Sequence, residues 1–372
     1  MKIAFILMLL AQEEAQEGVS SAALRFLARH QLHDGSWGSE PDACRCALPP
    51  PAAPGDLKQV PHLIELLGSE DIDARDRAQK ALRDIGAPAV PLLRAAAEGT
   101  DSEVVARSRL LLGILERPVR EPGDVELTGL VVLAFMNAGY SHLSMDTYDG
   151  LNYGEAVKKG LLWLLARQDE EGVFTRKDPA ANAVAACAVL EAYGMTGATL
   201  FKEPAEKAIR GVKKLAPDEP TALIWTLEAF LWVRLNEMGE FPQEEAARLL
   251  ELLRRQPGIR AQAGVAAAEM WVHRVRIQGD WMLRLRPEDL DPGSLHEVDV
   301  AFHQILGCRD PGLSRWRIGM KQGLARRQDR SSGRCERGSW PEGGLRGRLE
   351  GAAYNTMTGL VCRCFGCRSP FR

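Results

Sequence analysis

The segment Leu24-Arg25-Phe26-Leu27-Ala28-Arg29-His30-Gln31, followed by Asp34-Gly35-Ser36-Trp37, decides the reading of this chain because it returns twice. Leu161 to Gln168 leads to Gly172 and Phe174, and Lys321 to Gln328 leads to Gly338-Ser339-Trp340. Each copy is an apolar helical stretch ending in Gln, then a glycine-containing turn, then an aromatic residue. A unit repeated in this way buries its apolar face only against its neighbours, so the pattern predicts an array of helical repeats.

Composition agrees with helix. Ala, Leu, Arg and Glu outnumber Val, Ile and Thr, which favours helix over sheet. A formal net charge of −3 on 372 residues argues against nucleic acid as the main partner, because phosphate binding draws on clustered positive charge. No apolar run reaches the length of a membrane span, so no transmembrane segment is expected.

At the N-terminus, Met1-Lys2 and the apolar run Ile3 to Ala11 fit a short export signal cleaved near Ala11 or Gln12. The alternative is an extra apolar turn leading into the first helix. Residues 1–18 are therefore set apart as signal peptide and linker. The two readings imply the periplasm or cell envelope in one case and the cytoplasm in the other. The first cysteine is Cys44, which speaks against a lipid anchor.

The repeated phrase resembles the QW motif of the squalene cyclase and protein prenyltransferase superfamily. Members of that family fold as an α/α toroid of paired inner and outer helices. The resemblance implies that Gln31, Gln168 and Gln328 end outer helices and reach toward the next repeat, with Trp37, Phe174 and Trp340 over them. Six positions separate Gln31 from Trp37 and Gln168 from Phe174, and twelve separate Gln328 from Trp340. These six are read as structural residues, since buried amides need partners and large aromatics carry burial. Leu127-Thr128-Gly129-Leu130, Leu190 to Thr196 and Tyr354-Asn355-Thr356 also resemble a bacterial branch of these repeat proteins.

A second repeat interrupts the first. Between Pro49 to Pro54 and Glu121-Pro122-Gly123, the residues Asp71, Asp73, Arg77, Leu82 and Ile85 are echoed by Asp101, Glu103, Arg107, Leu112 and Leu115 thirty positions later. This segment resembles a pair of HEAT repeats, with Gly86-Ala87-Pro88-Ala89-Val90-Pro91 at the junction, where Pro starts a helix without losing a needed hydrogen bond. Its acids and arginines are read as the ladder of that family, and its surface as a candidate contact for another protein.

From Asp124 the chain reads as helices over about 124–138, 154–168, 180–193, 204–215, 219–237, 243–255, 261–275, 296–307, 313–328 and 351–366. With the first helix and a short one near 280–290, these make twelve. The expected fold is all-α: one toroid of six helical hairpins, comprising 19–48 and 121–372, with the HEAT-like insertion at 56–117.

For a polyene cyclase the chemistry needs an acid strong enough to protonate an alkene, carried by that family in an Asp-x-Asp-Asp box. The nearest match is Asp124-Val125-Glu126-Leu127, which keeps the first and third acids and has Leu127 in place of the last. Asp124 and Glu126 are the candidate catalytic residues, against the reading that two acids in a first helical turn answer the helix dipole. Aromatic residues make up only 6% of the chain, thin for a pocket that stabilises carbocations. Protein prenyltransferases hold zinc through an Asp, a Cys and a downstream His, but His303 is the last histidine and precedes Cys308 and every later cysteine. A complement-type thioester would need Gly-Cys-Gly-Glu-Gln, and both Gly-Cys pairs continue with Arg.

Five of the eight cysteines form two clusters, Cys44 with Cys46 and Cys362 with Cys364 and Cys367. A closed toroid brings its first and last hairpins together, so these five thiols are the candidate metal site, or disulfides in an exported protein. Neither cluster has paired CxxC spacing. No cofactor is expected. The function expected from the sequence is a non-catalytic binding or scaffold protein, with an enzyme acting on isoprenoid substrates in the central cavity as the alternative. An apolar isoprenoid in that cavity, or a protein on the insertion, is the expected partner.

Overall fold

The structure is a computed structural model that describes residues 21–38, 56–85, 89–115, 124–148, 150–275, 277–304, 310–329, 338–340 and 344–360. The chain divides into two compact units, residues 1–43 with 123–372, and residues 44–122. Both are built from helices. Among the described residues the one sheet is a two-stranded ladder in which β1 (Thr147–Tyr148) pairs antiparallel with β2 (Leu151–Asn152). No described helix is long and apolar enough to cross a membrane.

The smaller unit contains α2 (Val60–Leu66), α3 (Ile72–Ile85), α4 (Val90–Ala96) and α5 (Ser102–Leu115), following α1 at 21–29 in chain order. Its echoed acids do the same work in both copies. The Asp71 carboxylate accepts from the Asp73 N–H at 2.9 Å, and Asp101 accepts from Glu103 at 2.9 Å and Val104 at 3.1 Å, so each satisfies donors at the start of a helix. Arg107 joins the copies through Asp76 at 2.9 Å and also pairs, one turn back on its own helix, with Glu103 at 2.8 Å. Val60, Leu67, Leu82, Leu93 and Leu111 form the apolar core. Pro91 lies in the first turn of α4, while residues 86–88 fall outside the described residues.

The larger unit contains α6 (Val125–Asn137), α7 (Tyr153–Leu165), α8 (Pro179–Thr196), α9 (Thr199–Lys214), α10 (Pro220–Leu235), α11 (Gln243–Arg254), α12 (Ile259–Val272), α13 (Pro292–Gln304), α14 (Pro311–Arg327) and α15 (Gly344–Leu360). Packing contacts run from α6 to α8, α10, α12, α13 and α15, then return from α15 to α6. Helix α7 packs on α6 and α8, α9 on α8 and α10, and α11 on α10 and α12. Every residue of α6 from Leu127 to Met136, of α8 from Ala180 to Ala192 and of α13 from Gly293 to Gln304 is buried. Consecutive burial means that all faces of these helices are covered; α6 and α8 are nearly unbroken apolar sequence over these stretches, whereas α13 also buries Ser294, His296, Glu297, Asp299, His303 and Gln304.

Four expected boundaries differ. Helix α9 begins at Thr199 and carries Pro204 inside it, where the lost backbone bond falls near exposed Leu200. Helix α13 begins at Pro292, because Pro at a first helical position lacks only a donor that would be unpaired anyway. Helix α15 begins at Gly344, ahead of the expected 351. The short helix expected near 280–290 is two 3-10 turns, Asp280–Arg284 and Pro287–Asp289, on which α14 packs.

Candidate functional site

The site grows out of the way these helices start. Asp178-Pro179, Glu219-Pro220 and Asp291-Pro292 each place an acid immediately before a proline that opens a helix. Asp124 precedes α6 in extended conformation and accepts the Leu127 N–H at 2.9 Å; Asp178 accepts from Ala181 at 3.0 Å and Asp291 from Ser294 at 2.9 Å. Carboxylates suit these positions because they satisfy free N–H groups and face the positive end of the helix dipole.

The first turns gather around a cavity of about 350 Å³. Glu126, Asp178, Glu219, Asp291 and Glu350 supply acids to its wall, Arg260 a cation and Tyr354 an aromatic ring, while Gly293, Gly347 and Gly351 leave the space open. A wall so rich in carboxylates is polar, not the apolar surface a hydrocarbon chain requires.

Two clusters organise that wall. Arg346 of α15 contacts Asp124 at 2.5 Å, Glu126 at 2.7 Å and, one helical turn along, Glu350 at 2.5 Å. Burial pushes the Glu126 carboxyl up to about 7: the shared guanidinium opposes this, and the neighbouring Glu350, Asp124 and Asp178 carboxylates add to it. Burial alone would lower the Arg346 guanidinium, but Asp124 and Glu350 hold it above its ordinary value. Glu126 is thus an acid whose proton is in exchange near neutrality, at the wall of a cavity.

Arg260 of α12 anchors the second cluster. Its Nη2 donates to the Tyr354 hydroxyl at 3.1 Å, and its guanidinium lies 5.6 Å from the centre of the Tyr354 ring. Burial pushes the Tyr354 phenol up to about 12. Beneath Tyr354, the buried His296 ring lies 5.7 Å from it and stacks at 6.4 Å on Trp225. The ordinary value of Arg260 is exceeded despite burial, through Tyr354 and the more distant Glu297 and Asp291 carboxylates.

The motif residues lie elsewhere and make backbone contacts. Gln31 Nε2 donates to the carbonyls of Gly35 and of Ala156 on α7, both at 2.8 Å, and Gln168 Nε2 to Pro204 on α9 at 2.9 Å. Gln328 Nε2 donates to Gly338 at 3.0 Å. Trp37 Nε1 donates to Leu27 at 2.7 Å and Trp340 Nε1 to Leu324 at 3.0 Å, each acceptor lying four residues before the motif glutamine. Phe174 is buried, with its N–H bound to Asn182 at 2.8 Å. Gly35, Gly172 and Gly338 have φ of 95°, 89° and 97° and touch the backbone of Lys159, Lys207 and Ala22, where no Cβ would fit. The third turn therefore packs against the first helix.

The structure brings Asp124 and Glu126 together at the cavity wall. Cys44, Cys46, Cys362, Cys364 and Cys367 lie outside the described residues. Cys187, which is described, is buried and lies 3.4 Å from the Trp225 carbonyl. Among the described residues no group of three or more His, Cys, Asp or Glu is placed to hold a metal ion. Sequence reasoning missed Arg260, Arg346, Glu350 and Tyr354. The acid-proline pairs carried a usable signal for the converging helix starts, but nothing local marks two arginines among so many. No protein-family model, curated protein or solved structure matches this chain.

Proposed function

We propose that the larger unit is a single α/α toroid of the squalene cyclase-like kind, and that the protein binds a ligand or partner without carrying out isoprenoid chemistry. In this toroid α6, α8, α10, α12, α13 and α15 are the inner helices, and α1, α7, α9, α11 and α14 the outer ones. The cycle of contacts that returns from α15 to α6 supports the toroid, as do the three glycine turns seated on the next helix.

The observation that carries the functional reading is the consecutive burial of inner helices α6, α8 and α13. Among the described residues, side chains packed on every face leave no open channel along those stretches for a folded polyene. The cavity lies at the helix N-termini and is walled by carboxylates. The enzyme reading retains one specific support, the Glu126 carboxyl held near neutrality at that wall. Against it, Tyr354 is the one aromatic ring on the wall among the described residues.

A further partner site is proposed on the HEAT-like unit, where Ile72, Leu92 and Leu110 are exposed apolar residues. Export rests on the apolar segment at 3–11 alone.

Incubation of the purified protein with squalene, farnesyl diphosphate and geranylgeranyl diphosphate, with and without Zn²⁺, tests the reading. No cyclised or transferred product is expected. A product that forms in wild type and vanishes in Glu126→Gln, whose amide cannot supply a carboxylic proton, replaces the binding reading with the enzyme.

A further inference from the structure

Arg260 is the most exacting group in the cavity. A guanidinium has five N–H donors and no acceptor. One of them is bound to the Tyr354 hydroxyl, a neutral partner, and among the described residues the buried Nε has none. Among the described residues no carboxylate lies within ion-pair distance of it, and Glu297 and Asp291 act only from farther away. Leaving charged donors unmet inside a protein is costly, and a carboxylate that takes two parallel N–H bonds is the partner that fits a guanidinium fork.

A simple anion does not fit the rest of the wall. Among the described residues the Glu219 side chain makes no capping bond and is exposed to the cavity, and the Asp178 carboxylate accepts only the Ala181 N–H. With Glu126 they form an acidic arc at the starts of α6, α8 and α10, and in the cycle of six helices α12 stands third from α6 in either direction. Carboxylates there repel an anion and attract an ammonium, while a simple cation would leave Arg260 unmet. A volume of about 350 Å³ sits at the small end of ligand pockets.

We propose that this cavity binds a small zwitterion of amino-acid or short-peptide size, with its carboxylate on Arg260 and its ammonium on the arc of Glu126, Asp178 and Glu219. The inference rests on the binding reading above and names its ligand class.

Isothermal titration of the full-length protein with glycine, glycylglycine and 6-aminohexanoate, beside hexanoate and hexylamine, tests it. At least one zwitterion is expected to saturate the protein, with the two singly charged compounds weaker by about tenfold or more. Arg260→Met and Glu219→Gln are each expected to weaken that binding by a similar factor. Glu219→Gln removes no capping bond, so it decides the matter even if Arg260→Met fails to fold. The proposal is overturned if no zwitterion saturates, if hexanoate or hexylamine binds as well, or if Glu219→Gln binds like wild type. Flat titrations without isoprenoid product remove this ligand class and leave the binding reading standing. Isoprenoid product removes the binding reading itself, whatever the titrations give.

Discussion

Asp124 Oδ2 and Arg346 Nη1 lie 2.5 Å apart although 222 positions separate them in the chain. Asp124 also caps α6, so one carboxylate both starts the first of the six mutually packed helices and holds the last. Arg346 extends the tie to Glu126 and Glu350, which makes closure of the helix cycle and the electrostatics of the cavity one structure.

Removing Arg346 should therefore cost more than a surface ion pair. In Arg346→Ala three carboxylates would face one another, two of them at the start of α6, and the loss expected is about 1–3 kcal/mol, moderated by the partial exposure of the guanidinium. Urea midpoints measure it, and adding Glu126→Gln should restore part of the loss because one of the repelling charges is gone. A midpoint equal to wild type would mean the contact contributes nothing.

How far the sequence announced this arrangement depends on whether a feature is local. The Gln, Gly and aromatic lie within six positions of one another in the first two motifs and within twelve in the third, and a left-handed glycine or a buried indole N–H demands a particular residue type at a particular place. All-α architecture was legible for the same reason. The start of α13 was not, because Pro292 reads as a breaker until Asp291 is seen to precede it as a cap. Gly344, Gly347 and Gly351 disguise the start of α15 in the same way, since their low propensity is overridden by the burial of the helix that follows. The pairing of Arg346 with Asp124 leaves no mark in either neighbourhood. It exists only once the chain has closed on itself.

Glu126 makes folding pH-dependent in a direction opposite to most carboxylates. Its folded value of about 7 lies above the ordinary 4.5, so the folded state binds a proton that the unfolded chain releases between those limits. The contribution is fully present below pH 4.5 and is lost as pH rises through about 7. The groups facing it are Arg346 and Glu350 on α15, Asp124 on its own helix and Asp178 on α8. In Glu126→Gln, denaturation measured from pH 5 to 8 should lose on the order of 2–3 kcal/mol less stability over that interval than wild type does. Parallel curves for the two proteins would place the titration elsewhere.

Trp340 is fully buried, with its indole N–H on the Leu324 carbonyl, and its turn carries Gly338 against Ala22 of the first helix. Trp340→Ala should destabilise by about 3–5 kcal/mol through cavity formation and an orphaned carbonyl. Gly338→Ala should also destabilise, since a Cβ meets backbone and the φ of 97° is unfavourable to any side chain. Thermal melts of both variants within a degree of wild type would refute a structural role for the third turn.

Asp299 of α13 supplies the opposite pH dependence. Burial would raise its pKa, but the Arg317 guanidinium, 2.5 Å away on α14, and His303, 3.5 Å away, hold the carboxyl well below its ordinary value. Its contribution is therefore present above the ordinary value of 3.8 and lost as pH falls through the lower folded value. Asp299→Asn keeps the volume and removes the charge, leaving Arg317 largely buried without its carboxylate, at a cost of about 3–5 kcal/mol near neutral pH. The same variant should lose less stability than wild type as the solution is taken to pH 2, so the gap between the two unfolding curves narrows with acid. A gap that stays constant across that range would show that the carboxylate is not what ties α14 to α13.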